Sequence, residues 1–165
     1  MLRALLVASL VASAGPLACA GASQPPLKGE VEVTVSDPRV GQYVSSGWGF
    51  ATSTFWIEGP EGVVLIDAQF LPSAAEEAIV AAERVTRKKV VAAIVLHPNP
   101  DKFNGTATFQ ARGIKVLTSS QVLAKIPEVF ASRTQSFGDR YKPDWPTETP
   151  RPESFGEATT KLQLA

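Results

Sequence analysis

The chain has 165 residues, 44% of them hydrophobic, and its sixteen Lys and Arg balance sixteen Asp and Glu. This length supports one hydrophobic core rather than two, so a single globular domain is expected. The neutral balance, without a basic stripe interleaved with aromatics, excludes a nucleic-acid surface. One cysteine excludes any disulfide within the chain.

Residues 1–20 read as a secretory signal. Arg3 supplies a short positive start, residues 4–14 an apolar core, and Ala18-Cys19-Ala20 a small-residue cleavage site; the apolar stretch is too short to span a membrane. The protein is therefore expected to be exported, to a periplasm or outside the cell. Leu17-Ala18-Cys19 partly resembles a bacterial lipobox, with Pro16 where such boxes usually carry Leu. Two readings stay open: cleavage after Ala20 or Ala22 frees the chain, whereas lipidation of Cys19 would tie it to a membrane.

Residues 21–30, with Pro25 and Pro26, form a tether ahead of a domain over 31–165. Val31, Val33 and Val35 alternate with Glu32 and Thr34, the period of a half-exposed strand, which Asp37-Pro38 ends. Residues 43–50 are rich in glycine and aromatics: Tyr43, Trp48 and Phe50 form either an irregular lid on the core or a flap beside a site. Residues 52–58 and 63–66 flank Gly59-Pro60-Glu61-Gly62 and predict a β-hairpin, with Asp67 directly after its second strand. A helix is predicted from Ser73, capped by Ser73 with Glu76 in a capping box. Its apolar stripe is Ala75, Ala78, Ile79, Ala82 and Val85.

Residues 90–96, VVAAIVL, are continuously apolar, as in a strand covered on both faces. The run stops at His97, the sole histidine. Pro98 and Pro100 lack a backbone donor and fix their own φ, so His97, Asn99 and Asp101 are expected on a stiff loop at the strand's carboxyl end, where open α/β sheets bind ligands. A short helix over 106–111 ends at Gly113, and residues 114–117 form another strand. The order hairpin, helix, strand, helix, strand predicts an α/β fold with a mixed sheet and a parallel βαβαβ arrangement. Ser119 or Ser120 caps a helix over 121–126, which Pro127 breaks or kinks before a second stretch over 128–133. Pro143, Pro146, Pro150 and Pro152 predict irregular chain, and the terminal TTKLQLA alternates like a strand beginning.

With these elements in order, VVLIDAQF and HPNPDKFNG resemble the strand-then-aspartate and His-x-His-x-Asp-His signatures of the metallo-β-lactamase superfamily; GIKVLTSS is similar as well. The resemblance implies the first half of an αββα sandwich, with helices on one sheet face and a second βα half on the other. Without that half, a large apolar sheet face is left for self-association, a partner or further chain to cover. It places His97 on the family's first histidine, Asp101 on its aspartate and Gly105 on its second glycine, implies zinc as cofactor, and makes Asp67 a supporting aspartate. Two positions depart: Asn99 replaces the second histidine and Lys102 the third. An amide is a poor zinc ligand and an ammonium repels the cation.

Lys102 is instead expected to pair with Asp67 or Asp101 where a metal would have been. For His97 the alternative to a ligand is a loop histidine hydrogen-bonded near a strand end; for Asp101, an acid at a helix's positive end. A phosphate-cradling GxGxxG or Walker loop and a GxSxG serine elbow are both absent from the sequence. Two functions follow. One is a truncated or degenerate exported hydrolase-like protein with an incomplete zinc site. The other is a non-catalytic envelope protein that kept the scaffold and binds a small molecule through its lid (Tyr43, Trp48, Phe50) and loop.

Overall fold

The computed structural model describes residues 28–34, 36–157 and 161. The signal, Cys19, most of the tether, Val35 and nearly all of TTKLQLA lie outside the described residues. Among the described residues, seven strands form one sheet in sequential order, β1 (Glu30–Val33), β2 (Val40–Val44), β3 (Ser53–Glu58), β4 (Val63–Ile66), β5 (Val90–Val95), β6 (Lys115–Thr118) and β7 (Glu153–Ser154). β1 to β4 pair antiparallel; β4 to β7 pair parallel. Parallel neighbours need crossovers, supplied here by α1 (Pro72–Thr86), by α2 (Pro100–Phe103) with α3 (Thr106–Ala111), and by α4 (Ser120–Tyr141). The predicted hairpin, βαβαβ order and mixed sheet are all present.

Strand alternation divides the sheet into two unlike faces. Tyr43, Trp56, Leu65, Ala93 and Val116 are buried on the face that α1 packs against. On the other, the register brings Val40, Ile57 and Val64 into one row and Phe55, Ile66, Ile94 and Leu117 into the next. Phe55 is 46% exposed and Ile57 50%. This is the open apolar face that half of a sandwich would present.

Several local expectations are corrected. β1 is exposed along its whole length rather than half-buried, because α1 covers β2 to β5 and β1 lies one strand further out. Tyr43 is not a lid residue: it sits in β2, 1% exposed, and its hydroxyl donates to Glu77 Oε2 at 2.7 Å. The strand was hidden in its sequence by Gly41 and Gln42. Gly41 is there because Trp56 lies across it; a Cβ would meet the Trp56 ring at 2.2 Å.

Ser73 does not cap α1. Leu71 holds the cap position, Pro72 opens the helix with its preset φ, and Ser73 donates its N–H to Asp144 Oδ1 at 3.0 Å and its hydroxyl to Asp144 Oδ2. Glu76 accepts from Arg112 Nη1 instead of closing a capping box. Val85 falls off the buried stripe, and Leu96 lies beyond the end of β5 and is exposed.

Pro127 does not break α4, which runs unbroken from Ser120 to Tyr141 with Ser119 Oγ accepting from the Val122 N–H at 3.3 Å. An interior proline costs about 3 kcal/mol. Burial of Ile126, Phe130 and Tyr141 along the helix, with Phe137 packed beside them, offsets it. The following proline-rich segment is irregular but anchored by Trp145, whose ring stacks on Phe130. Within that segment Glu153 and Ser154 form β7, a short strand the proline spacing did not disclose.

Candidate functional site

The site forms where β4 and β5 end side by side. Asp67 leaves β4 at φ 69° and Gln69 follows at φ 70°, so the chain turns sharply around Ala68 through two left-handed residues. Buried polar contacts hold the turn. Asp67 N–H donates to the Ile94 carbonyl at 2.8 Å, and Asp67 Oδ1 accepts from the Leu96 N–H at 3.0 Å, tying the ends of both strands together. Gln69 Nε2 donates to the Thr52 carbonyl at 2.9 Å, and Thr54 Oγ1 donates to the Asp67 carbonyl at 3.1 Å. Gln69 and Thr54 carried no sequence signal; the left-handed turn alone gives them a role.

The loop from His97 is tied to the same turn. Asn99 stands at the cap position of α2, and Asp101 lies in its first turn, favourable beside the helix's positive end. Asp101 is thus not on the loop with His97 and Asn99 but at a helix's positive end, its alternative reading. The Lys102 carbonyl accepts from the Ala68 N–H at 2.7 Å. Gly105 makes this approach possible: a Cβ there would stand 2.0 Å from the Ala68 carbonyl oxygen and 2.4 Å from Ala75 Cβ. Its φ is an ordinary −75°, so close packing, not conformational freedom, requires glycine.

The side chains converge on one cation. Lys102 Nζ lies 3.3 Å from Asp101 Oδ2 and 3.6 Å from Asp67 Oδ2. The pairing expected with either carboxylate is made with both. Burial pushes the Asp67 carboxyl above its usual range, opposed by the Leu96 N–H and the Lys102 charge. His97 is exposed and, among the described residues, makes no hydrogen bond or ion pair, including the one expected of a loop histidine. Zinc requires several deprotonated donors around one point and an open position for chemistry. Here the two carboxylates face an ammonium, and among the described residues no three His, Cys, Asp or Glu side chains gather. This donor set does not fit the metal.

Beside Lys102 lies a cleft of about 470 Å³. Phe50, Phe70 and Phe137 supply apolar wall, with Asp101, Lys102 and Arg133 at its polar side. Phe50 meets Phe70 edge-on at 4.8 Å, Trp48 packs on Tyr141 at 4.7 Å, and Arg140 sits over the Trp48 ring. Two of the three predicted lid aromatics thus pack onto residues of α4, while Tyr43 belongs to the core. The Ser45 hydroxyl closes the lid turn, donating to the Gly49 carbonyl and accepting from the Thr52 N–H. The contribution of α4 was missed in the sequence, although Phe130, Phe137 and Tyr141 recur at spacings of seven and four on one helix face.

The fold is that of part of a metallo-β-lactamase. A metallo-β-lactamase from Erythrobacter litoralis, with β-mercaptoethanol in its active site, superposes with a TM-score of 0.54 at 20% identity, over 62% of this chain and 46% of that one. The metallo-β-lactamase FIM-1 from Pseudomonas aeruginosa, in its mono-zinc form, superposes with a TM-score of 0.56 at 13% identity, over 82% of this chain and 52% of that one. The chain spans about half the length of these structures. No protein-family model and no curated protein matches it.

Proposed function

We propose that the chain is a portion of an exported, hydrolase-like protein of the metallo-β-lactamase fold whose zinc site is incomplete. The observation that carries this reading is the position of Lys102, 3.3 Å from Asp101 and 3.6 Å from Asp67. Its fixed positive charge compensates the carboxylates a second cation would need. His97 and Asp101 remain as the site's family-like residues, with Asp67 bracing the loop through Leu96. Export rests on residues 1–20, with anchoring at Cys19 the alternative to release. The open sheet face supports a further βα half, because its apolar rows match what the second layer of a sandwich covers.

A non-catalytic envelope binding protein is the second reading, favoured by one observation: an aromatic-lined cleft lies beside a donor set that does not fit a metal. Equilibrium dialysis of the full chain against zinc tests the first reading. The expected result is no stoichiometric uptake at neutral pH. Uptake of one zinc per chain that His97→Ala abolishes would overturn the incomplete site and restore a metal hydrolase.

A further inference from the structure

We infer that the cleft between the lid and α4 is a binding site for a small organic monocarboxylate with an aromatic or similarly apolar body. Its about 470 Å³ is enough for such a molecule, and Phe50 and Phe137 offer ring surface to the body, with the buried Phe70 packed edge-on behind both. The head group is selected by Arg133. This guanidinium lines the cleft from α4 and, among the described residues, makes no hydrogen bond or ion pair, so its planar fork of donors is available.

Lys102 does not compete for that role, because Asp101 and Asp67 already take its charge. Charge also sets the class. The charged side chains that line the cleft, Asp101, Lys102 and Arg133, carry one net positive charge, which a single carboxylate balances and a phosphate dianion exceeds. A carboxylate matches the fork with two parallel hydrogen bonds. The inference rests on the second reading, the small-molecule binder, and not on zinc: the metal-like loop lines part of the cleft, but Arg133 and the aromatic rings lie outside that loop.

The test is calorimetric titration of the full chain with 4-phenylbutyrate and with the neutral 4-phenylbutanol, in buffer containing a chelator. The expected result is about fivefold tighter binding of the acid, the effect of one partly exposed charged pair. Arg133→Gln, an exposed substitution whose folding a thermal melt checks, should bring acid and alcohol to equal affinity while leaving the alcohol's binding unchanged. Phe137→Ala should weaken both together. Equal affinity for the two in the native chain, a preference that survives Arg133→Gln, displacement of the acid by inorganic phosphate, or no binding of either would overturn the inference.

Discussion

Lys102 and Asp67 are joined through the loops they belong to as well as by charge. The Lys102 carbonyl takes the Ala68 N–H next to Asp67, while the Lys102 ammonium stands 3.6 Å from Asp67 Oδ2. The backbone contact fixes where α2 begins relative to β4, so the ammonium is delivered to the carboxylate by the fold. Asp67 in turn holds the end of β5 through the Leu96 N–H. A charge pair and a strand-end clamp share one buried carboxylate.

Asp67→Ala should therefore be more damaging than its size suggests. It leaves the Leu96 N–H without its acceptor and places alanine at φ 69°, where aspartate and asparagine are better tolerated. The expected loss is about 2 kcal/mol of unfolding free energy. Asp67→Asn keeps the acceptor and the turn and should lose less than half as much. Urea denaturation of both variants compares them.

Lys102→Met retains the side-chain length and removes the charge. Asp67 then keeps a carboxylate in a poorly solvated place without its cation, and stability should fall by about 1 kcal/mol, a modest figure because Lys102 is part-exposed. Parallel chemical melts would measure it. An unchanged midpoint would reduce the pairing to proximity.

Gly105→Ala should be destabilising although its backbone conformation suits alanine. The added methyl meets the Ala68 carbonyl and Ala75 and can only be accommodated by moving α2 and α3 off the turn. A cost of about 2 kcal/mol is expected. Because the displaced turn carries Asp67, amide chemical shifts of Leu96 and Lys102 should move as well, whereas Gly47→Ala, where an added Cβ meets open space, should leave them in place.

The open sheet face predicts association behaviour. Phe55 and Ile57, on alternate positions of β3 and exposed by about half, lie beside Ile66 and Val64 in neighbouring strands. The isolated chain should bind the dye 8-anilinonaphthalene-1-sulfonate in its folded state and self-associate with rising concentration. The pair Phe55→Lys and Ile57→Lys should reduce both. Light scattering and dye fluorescence, measured side by side, check this.

What the sequence disclosed follows from how local each cause is. Residues 90–96 and the hairpin are dictated by side-chain pattern over a few positions, so their strands were legible, as were the Ser119 cap and Gly113. The left-handed turn at Asp67 and Gln69 was not, because non-glycine residues hold positive φ there only through bonds to Thr52, Thr54 and Ile94, all remote in sequence. Tyr43 was misplaced for a related reason: Gly41 weakens a strand pattern, and only Trp56 crossing over it explains the glycine. Ser73 satisfied the capping pattern yet was drawn to Asp144, 71 positions away. At the site, the motif located Asp67, Asp101 and Lys102 correctly as neighbours. The cleft escaped notice because α4 closes it with Arg133 and Phe137, and Pro127 argued for two short helices instead of one long one.

The claim that matters most is that the Lys102 ammonium fills the place of a metal, and zinc titration of Lys102→Ala against the native chain tests it most directly. Removing a positive charge within 4 Å of two carboxylates should raise zinc affinity by about tenfold or more, since the competing cation is gone. Asp101→Ala added to that variant should abolish the gain. Equal zinc affinity in the native chain and Lys102→Ala, or tighter binding by the native chain, would contradict the account and leave Lys102 as a surface pair beside an unrelated site.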